Sequence, residues 1–292
     1  MKEFRGKVAA ITGAGSGIGR ALALHFAKEG TALALADVDE RGLEETRSQL
    51  IEHGVKVTTK RVDVSDRTSV YAFADDVVRD HGTCHLVFNN AGISYAGTVE
   101  GTDYPDFERV MGVNFWGVVY GTKAFMPILR ASGEGHVVNI SSLFGLLSFP
   151  GQCAYNASKF AVRGFTECLR EELDLTHANV SATVVHPGGI KTNIAKNSIA
   201  GESLRDFGLA PADAIGEFEK QFRTSAEDAA KVIARGVRRN ARRVLIGADA
   251  YLSEGLQRMV PSAYQAVLIA AMRQSIAAQK RRALRTGIVG NP

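Results

Sequence analysis

The sequence lacks the signatures of several protein classes. Its three cysteines, Cys84, Cys153 and Cys168, have no CxxC spacing, which argues against a disulfide framework or a structural zinc site and favours a reducing, cytoplasmic location. We also expect no metal site from the seven histidines. No apolar run reaches the roughly 18 residues of a membrane span, and the first residues contain no apolar run of signal-peptide length.

The charge is small overall but unevenly distributed. The 292-residue chain has a net charge of +4, yet residues 231–292 contain twelve Lys or Arg and only two Asp or Glu. A basic end can indicate nucleic-acid binding, but we interpret the arginines of 235–243 as a solvated face. Hydrophobic residues make up 45 % of the chain, with no repeat or linker. This composition predicts one domain over 1–292 with a large core.

Short apolar runs alternate with amphipathic stretches along most of the chain. The runs predict strands at 8–11, 32–36, 55–62, 86–88, 137–140, 180–185 and 244–246. The stretches between them predict helices at 18–29, 40–52, 66–80, 103–130, 153–177 and 226–238. Apolar strands that alternate with helices form a parallel sheet with helices on both faces, and right-handed crossovers make this a doubly wound α/β fold.

A glycine-rich turn follows the first predicted strand. It reads Thr12-Gly13-Ala14-Gly15-Ser16-Gly17-Ile18-Gly19. Glycines let a backbone approach a pyrophosphate closely, and the N-terminus of the following helix offers free N–H groups and a positive dipole end. Because a strand precedes this turn and a helix follows it, we interpret the turn as a nucleotide-binding site.

An acidic residue, Asp37, ends the second predicted strand. A carboxylate at this point accepts hydrogen bonds from the adenosine ribose hydroxyls and repels a 2′-phosphate. The positions from which a basic side chain could reach that phosphate hold Ser16 and Val38 instead of Arg or Lys, although Arg41 is nearby. The pattern therefore favours NAD over NADP.

Several polar residues on a predicted helix and near the predicted strand ends are candidates for catalysis. Tyr155 and Lys159 are four residues apart on a predicted helix and share one face. Ser142 lies thirteen residues before Tyr155, and Ser141 is its nearest competitor. His186, before Pro187-Gly188, is interpreted as a strand-end histidine rather than an acid–base group.

Seven features follow one another along residues 7 to about 192. They are the glycine turn, Asp63, Asn89-Asn90-Ala91-Gly92, Asn114, Ser142, Tyr155-x-x-x-Lys159 and Pro187-Gly188. Together, and in this order, they resemble the motifs of the short-chain dehydrogenase/reductase family. The resemblance implies a Rossmann-like sheet of seven parallel strands in the order 3-2-1-4-5-6-7, in a homodimer or homotetramer. It also implies hydride transfer between a nicotinamide cofactor and an alcohol or ketone. The implied catalytic residues are Asn114, Ser142, Tyr155 and Lys159.

The resemblance assigns a role to each of these residues. Tyr155 exchanges a proton with the substrate oxygen, and Ser142 donates a hydrogen bond to that oxygen. Lys159 holds the nicotinamide ribose and, with the oxidised nicotinamide, lowers the pKa of Tyr155. Asn114 holds a water that links Lys159 to solvent. The implied cofactor-binding residues are Gly13, Gly15, Ser16, Gly17, Ile18, Gly19, Asp37, Asp63, Val64, Asn90, Ala91, Gly92, Tyr155, Lys159, Pro187, Gly188, Ile190 and Thr192.

The segments expected to line the substrate pocket are mostly apolar. The predicted pocket residues are Ser94, Leu143, Phe144, Phe149 and Gly189, together with the stretch from Ile194 to Phe222. Apolar walls favour a lipophilic secondary alcohol or ketone, such as a steroid, retinoid or fatty alcohol, although Lys191 and Lys196 suit a charged substrate. We expect 190–225 to be a lid insertion. The alternatives are an NADP(H)-dependent carbonyl reductase and a nucleotide-binding redox-sensing regulator.

The chain continues past the last predicted strand with residues 249–292. This C-terminal extension has an apolar stripe at helical spacing that is interrupted at Pro261, and four basic residues follow the stripe. We expect the extension to cover the pocket of its own or a neighbouring subunit. A dimer contact and a peripheral contact with an anionic membrane surface are the second and third alternatives. We expect no nucleic-acid partner.

Overall fold

Seven parallel strands form the central sheet of the computed structural model, which describes residues 1–192, 198–211, 216 and 222–285, with side chains to residue 277. The strands are β1 (Val8–Thr12), β2 (Ala32–Asp37), β3 (Val57–Arg61), β4 (Leu86–Asn89), β6 (Gly135–Ile140), β7 (Val180–Pro187) and β9 (Arg243–Ile246). Their order, β3-β2-β1-β4-β6-β7-β9, confirms the predicted doubly wound arrangement. The chain reverses direction across the sheet between β1 and β4, which is where such folds bind ligands.

Helices cover both faces of this sheet. They are α1 (Gly17–Lys28), α2 (Glu40–Leu50), α3 (Arg67–His81), α4 (Tyr104–Met111), α5 (Gly117–Ala131), α6 (Cys153–Leu175), α7 (Ala226–Arg238), α8 (Ala248–Met259) and α9 (Tyr264–Arg285). Apolar residues of α1, α2 and α7 form one core with the sheet, and residues of α3, α5 and α6 form the other. The central strands are buried on both faces, which explains their continuous apolar sequence.

The structure differs from the predicted elements in two places, and the predicted interruption at Pro261 is present. The predicted helix over 103–130 is divided by a π-helical turn, Gly112–Trp116, between α4 and α5. Two short strands, β5 (Tyr95–Ala96) and β8 (Ile199–Ala200), form a separate pair that no sequence pattern predicted. The break at Pro261 separates α8 from α9. Within the described residues, no helix is both long and apolar enough to cross a membrane.

The predicted lid and extension are described only in part. Ile194 and Lys196 lie outside the described residues, as do 212–215 and 217–221. The described part of the lid contains β8 and a 3₁₀-helix, Glu202–Phe207. The extension is helical as far as residue 285.

Candidate active site

The glycine-rich turn presents the N-terminus of α1 to the end of the sheet. Gly13 and Gly17 have φ values of +66° and +52°, in the left-handed region that favours glycine. A Cβ on Gly19 would lie 2.0 Å from the Gly13 carbonyl oxygen, so only glycine fits there. Ser16, the N-cap residue, makes no side-chain capping bond, and the first turn of α1 contains no acidic residue. The first N–H groups of α1 therefore suit an anionic group such as a pyrophosphate.

Asp37 lies beside this turn at the end of β2. Its carboxylate accepts hydrogen bonds from the backbone N–H groups of Gly15 (2.8 Å) and Asp39 (3.1 Å). Arg41 is 90 % exposed and pairs with Glu45. Arg20 donates to the carbonyl oxygens of Gly15 and Gly42. Both nearby arginines thus have partners, while Asp37 lines the cavity and has a geometry that fits a ribose diol.

The predicted catalytic side chains meet at the carboxyl end of β6. Ser142 follows β6, and its hydroxyl shares a hydrogen bond with the Tyr155 hydroxyl. Both residues are at most 9 % exposed. The ammonium group of Lys159 lies 5.5 Å from the centre of the Tyr155 ring and donates to the Ile140 carbonyl oxygen at 3.1 Å. The i,i+4 spacing on α6 therefore brings Tyr155 and Lys159 to the same point as Ser142.

The pKa of Tyr155 is raised, whereas the sequence predicted that Lys159 and the oxidised nicotinamide would lower it. Burial raises the pKa of Tyr155 to about 12, and the hydrogen bond from Ser142 opposes this effect. Burial also lowers the pKa of Lys159 to about 8. The pKa of Tyr155 is therefore raised on balance, because burial outweighs the hydrogen bond from Ser142 and Lys159 stands beside the ring rather than at the hydroxyl.

Asn114 lies in the π-helical turn, behind Lys159 rather than in the cavity lining. Its side chain donates to the Ile93 carbonyl oxygen and to the Ser158 hydroxyl, both at 3.0 Å, and accepts from the Ile93 N–H at 2.8 Å. An ideal Cβ on Gly92 would lie 3.1 Å from the Asn114 side-chain oxygen and 3.4 Å from the Lys159 ammonium group. Single π-helical turns recur at functional sites, and this one holds Asn114 against Ile93 and against Ser158, the residue before Lys159.

Two neighbours of the site have other bonding partners. Ser141 donates to the Lys159 carbonyl oxygen at 2.8 Å, which separates its role from that of Ser142. His186 is fully buried, and its Nδ1 atom bonds the Ser142 carbonyl oxygen at 2.8 Å. Burial lowers the pKa of His186 to about 4. His186 is thus neutral near pH 7 and holds the backbone of Ser142.

Asp249 is a site residue that the sequence reading missed. The loop after β7 begins with Gly188, whose N–H bonds the Ile246 carbonyl oxygen at 2.8 Å. The next N–H, of Gly189, donates to the Asp249 carboxylate at 2.6 Å. Asp249 lines the cavity. Its place directly after β9, at the carboxyl edge of the sheet, was a signal that could have identified it.

One cavity of about 760 Å³ joins these groups. All predicted cofactor-binding residues line it except Gly15 and Gly19, whose part is to shape the turn, and the predicted pocket residues Ser94, Leu143, Phe144, Phe149 and Gly189 line it too. Its nucleotide end contains Asp37, Asp63 and Val64, and its other end contains Ser142 and Tyr155. The residues present therefore fit an extended dinucleotide. The predicted stretch from Ile194 to Phe222 contributes Ser198, Leu204, Phe207, Leu209 and Phe222 to the lining. Further lining residues are Leu147 and, from the C-terminal extension, Leu256, Leu268, Met272 and Ile276.

Two of the seven histidines, His81 and His85, do have the HxxxH spacing that is typical of metal sites, and both have other bonding partners. His81 bonds the Thr58 hydroxyl, and the Nδ1 atom of His85 accepts from the Val8 N–H. In the described part of the chain, no group of three or more His, Cys, Asp or Glu could hold a metal ion.

Comparisons with known proteins agree with this geometry. A family model described as short chain dehydrogenase matches residues 7–203. The Mycobacterium tuberculosis protein SadH, named an oxidoreductase, is 50 % identical over 92 % of this chain and 96 % of its own length. Human estradiol 17-beta-dehydrogenase 11 is 32 % identical over 91 % of this chain and 83 % of its own length.

Solved structures show the same relationship. A short-chain dehydrogenase/reductase from Burkholderia phymatum in complex with NAD is 35 % identical and superimposes with a TM-score of 0.81, covering 89 % of this chain and 95 % of that one. An alcohol dehydrogenase from Thermococcus sibiricus, complexed with 5-hydroxy-NADP, is 26 % identical with a TM-score of 0.69, covering 82 % and 95 %. The chain belongs to the short-chain dehydrogenase/reductase family. It is an oxidoreductase with a nicotinamide cofactor and a small-molecule substrate.

Proposed function

We propose that this enzyme transfers a hydride between NAD and a lipophilic secondary alcohol or its ketone. The observation that carries the proposal is the hydrogen-bonded pair of Ser142 and Tyr155, with Lys159 beside it, in the same cavity as Asp37. When bound, the cofactor supplies the hydride acceptor or donor and, in its oxidised form, a second positive charge. The remaining chemistry belongs to the side chains of this chain.

Each side chain has one task in this proposal. The Tyr155 hydroxyl gives its proton to the ketone oxygen in reduction and takes the proton from the alcohol in oxidation. The Ser142 hydroxyl donates a hydrogen bond to the same oxygen and orients the substrate. Lys159 bonds the nicotinamide ribose, and the tyrosinate is stabilised by the positive charge of the oxidised nicotinamide. Asn114 connects Lys159 to solvent through a water.

The test of this site is the Tyr155→Phe variant. It removes the proton donor but keeps the ring, so turnover falls by at least a thousandfold while NAD affinity stays within about threefold. Turnover is followed by the absorbance of the reduced cofactor, and NAD binding is measured by calorimetry. Substantial activity in this variant would overturn the proposal.

The preference for NAD is supported by Asp37 and by the pairing of Arg41 with Glu45. The second candidate is an NADP(H)-dependent carbonyl reductase, favoured by the closeness of Arg20 to the same turn. Initial rates with both cofactors at equal concentration separate the two. A preference for NADP would overturn the assignment of Asp37.

The lipophilic substrate is supported by the apolar side chains around Ser142 and Tyr155, including Leu143, Phe144 and Phe149. The name of the human relative, an estradiol dehydrogenase, adds weak support for a hydroxysteroid-like alcohol. A panel of secondary alcohols with NAD tests this class. Tight NAD binding without oxidation of any alcohol would instead support the redox-sensing regulator.

The assembly and location form the last part of the proposal. Trp116 and Phe160 are 47 % and 38 % exposed on the π turn and α6, which pack together, and this supports a homodimer or homotetramer formed through that face. A Trp116→Glu variant that keeps the oligomeric mass in light scattering would contradict this face.

The free cysteines support a cytoplasmic location. The exposed Leu252 and Met259 leave peripheral membrane contact as an alternative, testable by liposome flotation.

A further inference from the structure

The start of α9 is attached beside the reacting groups. Tyr264, its first residue, is 5 % exposed and forms an apolar cluster with Phe144, Leu147 and Tyr155. The Tyr264 hydroxyl accepts from the Ser148 N–H at 3.2 Å and lies 3.0 Å from the Ser148 hydroxyl. These contacts place the first turn of α9 next to the catalytic tyrosine.

One face of α9 then runs along the cavity. Between residues 265 and 277, only Leu268, Met272 and Ile276 are partly buried, while the other side chains are exposed. The same three residues line the cavity, together with Ser275. Their spacing of four residues keeps them on one face of a helix. Burial and lining thus agree on which side of α9 the cavity lies.

The preceding helix is held in place by ionic contacts. Arg243 of β9 bonds Glu167 of α6 and Glu254 of α8. Asp249 joins the start of α8 to the loop after β7. These contacts hold α8 against the sheet, so the chain reaches Tyr264 from a fixed position. α9 therefore starts at a defined place relative to Tyr155.

Distance along α9 is then a measure of distance from the reacting carbon. A helix rises 1.5 Å per residue, so Leu268, Met272 and Ile276 lie about 6, 12 and 18 Å beyond Tyr264 along the axis. We propose that Leu268, Met272 and Ile276 form a graded apolar wall that selects substrates with an elongated apolar body. This inference rests on the proposed function, because it takes the reacting carbon to lie at Tyr155.

The experiment measures binding of a ketone series to the full-length protein with saturating NAD, because the oxidised cofactor has no hydride to give and the ketone is not reduced during the titration. Isothermal titration calorimetry is carried out with 2-butanone, 2-octanone and 2-dodecanone. Burying one methylene group improves affinity by up to about fourfold, so the unmodified protein binds 2-octanone far more tightly than 2-butanone. Equal affinity for all three ketones, or binding of none, would overturn the wall.

Two variants and a matched control test the grading. Leu268→Glu is expected to weaken 2-octanone and 2-dodecanone binding at least tenfold and to leave 2-butanone within twofold. Met272→Glu, one step further along the helix, is expected to weaken only 2-dodecanone. Val267→Glu places the same charge on the exposed face of α9, where Val267 is 60 % exposed, and is expected to change none of the three. Equal effects of Met272→Glu and Val267→Glu would overturn the proposal.

Turnover separates this inference from the proposed function. The matching 2-alkanols are assayed with NAD, using the same variants. Graded ketone binding without oxidation of any alcohol would support the proposed wall and refute the proposed reaction. Oxidation with an identical chain-length profile in the unmodified protein and Met272→Glu would refute the wall and leave the reaction standing.

Discussion

The Asp249 carboxylate accepts a hydrogen bond from the Gly189 N–H at 2.6 Å. This contact joins the first turn of α8 to the loop that carries Ile190 and Thr192, both of which line the cavity. Residues after the last strand thereby contact the cofactor-binding loop directly. The C-terminal extension is therefore connected to the nucleotide site as well as to the substrate pocket.

Replacing Asp249 tests this connection. We expect Asp249→Ala to weaken NAD binding about three- to tenfold, since a charge-assisted hydrogen bond is lost from a solvent-accessible position. Asp249→Asn keeps an acceptor oxygen and is expected to lose less. Calorimetric titration with NAD measures both. An Asp249→Ala variant with unchanged NAD affinity would show that the loop holds its position without Asp249.

Lys159 is expected to destabilise the folded protein near neutral pH. Its pKa falls from 10.5 to about 8 on folding, so the unfolded chain binds more protons between these values and stability rises with pH across this window. At about 1.36 kcal/mol per pKa unit, Lys159→Met should raise the free energy of unfolding at pH 7 by up to about 3 kcal/mol while abolishing activity.

Urea unfolding of both proteins from pH 7 to pH 10 checks this expectation. The unmodified protein should gain stability relative to Lys159→Met as pH rises above about 8. The upper limit is set at pH 10 because the raised pKa of Tyr155 contributes stability that is lost as pH rises from about 10 to about 12. A pH-independent difference between the two proteins would contradict a buried, desolvated ammonium group.

The adjacent serines offer a matched pair of substitutions. Ser142→Ala should reduce kcat at least a hundredfold, because the hydroxyl that orients the substrate oxygen is lost, with little change in stability. Ser141→Ala removes the hydrogen bond to the Lys159 carbonyl oxygen and should cost about 1 kcal/mol of stability, with a smaller effect on kcat. Steady-state kinetics and urea unfolding distinguish them. The reverse pattern would assign the catalytic hydroxyl to Ser141.

Asp37 should determine the choice of cofactor. We expect Asp37→Ser to lower kcat/KM for NAD about tenfold and to raise it for NADP, because the repulsion of a 2′-phosphate is removed. Arg20 and Arg41 are the nearby cations, and both keep their ion pairs with Glu45 in this variant. Asp39→Ser is the control, since Asp39 precedes α2 two residues further on. An equal effect of the two substitutions would point to general damage to the turn.

The sequence was sufficient for the sheet because its signal is local. Each strand is a short apolar run, and right-handed crossovers give the doubly wound arrangement, while the order of the strands was implied by the family resemblance. The residues at each strand end were also predictable as neighbours, since parallel strands bring their carboxyl ends to one edge. Ser142 and Asp37 were found in this way, whereas Tyr155 was found from its spacing to Ser142 and Lys159, and all three line one cavity.

Other features depend on contacts that no local pattern encodes. The β5–β8 pair joins Tyr95 to Ile199, more than a hundred residues apart, with only two residues per strand. The π turn at Asn114 looks like ordinary helix in sequence. The pKa of Tyr155 depends on burial and on the exact position of Lys159, and neither follows from the i,i+4 spacing. These features arise from tertiary packing.

The break at Pro261 has a practical consequence for enzyme engineering. Before it, α8 carries Asp249, which bonds the loop after β7; after it, α9 carries Tyr264 and the proposed wall residues Leu268, Met272 and Ile276. A chimaera joined at Pro261 would exchange these wall residues and leave the contact of Asp249 in place. Grafting the last helix of a relative is therefore expected to change the chain-length preference for substrates more than the affinity for the cofactor.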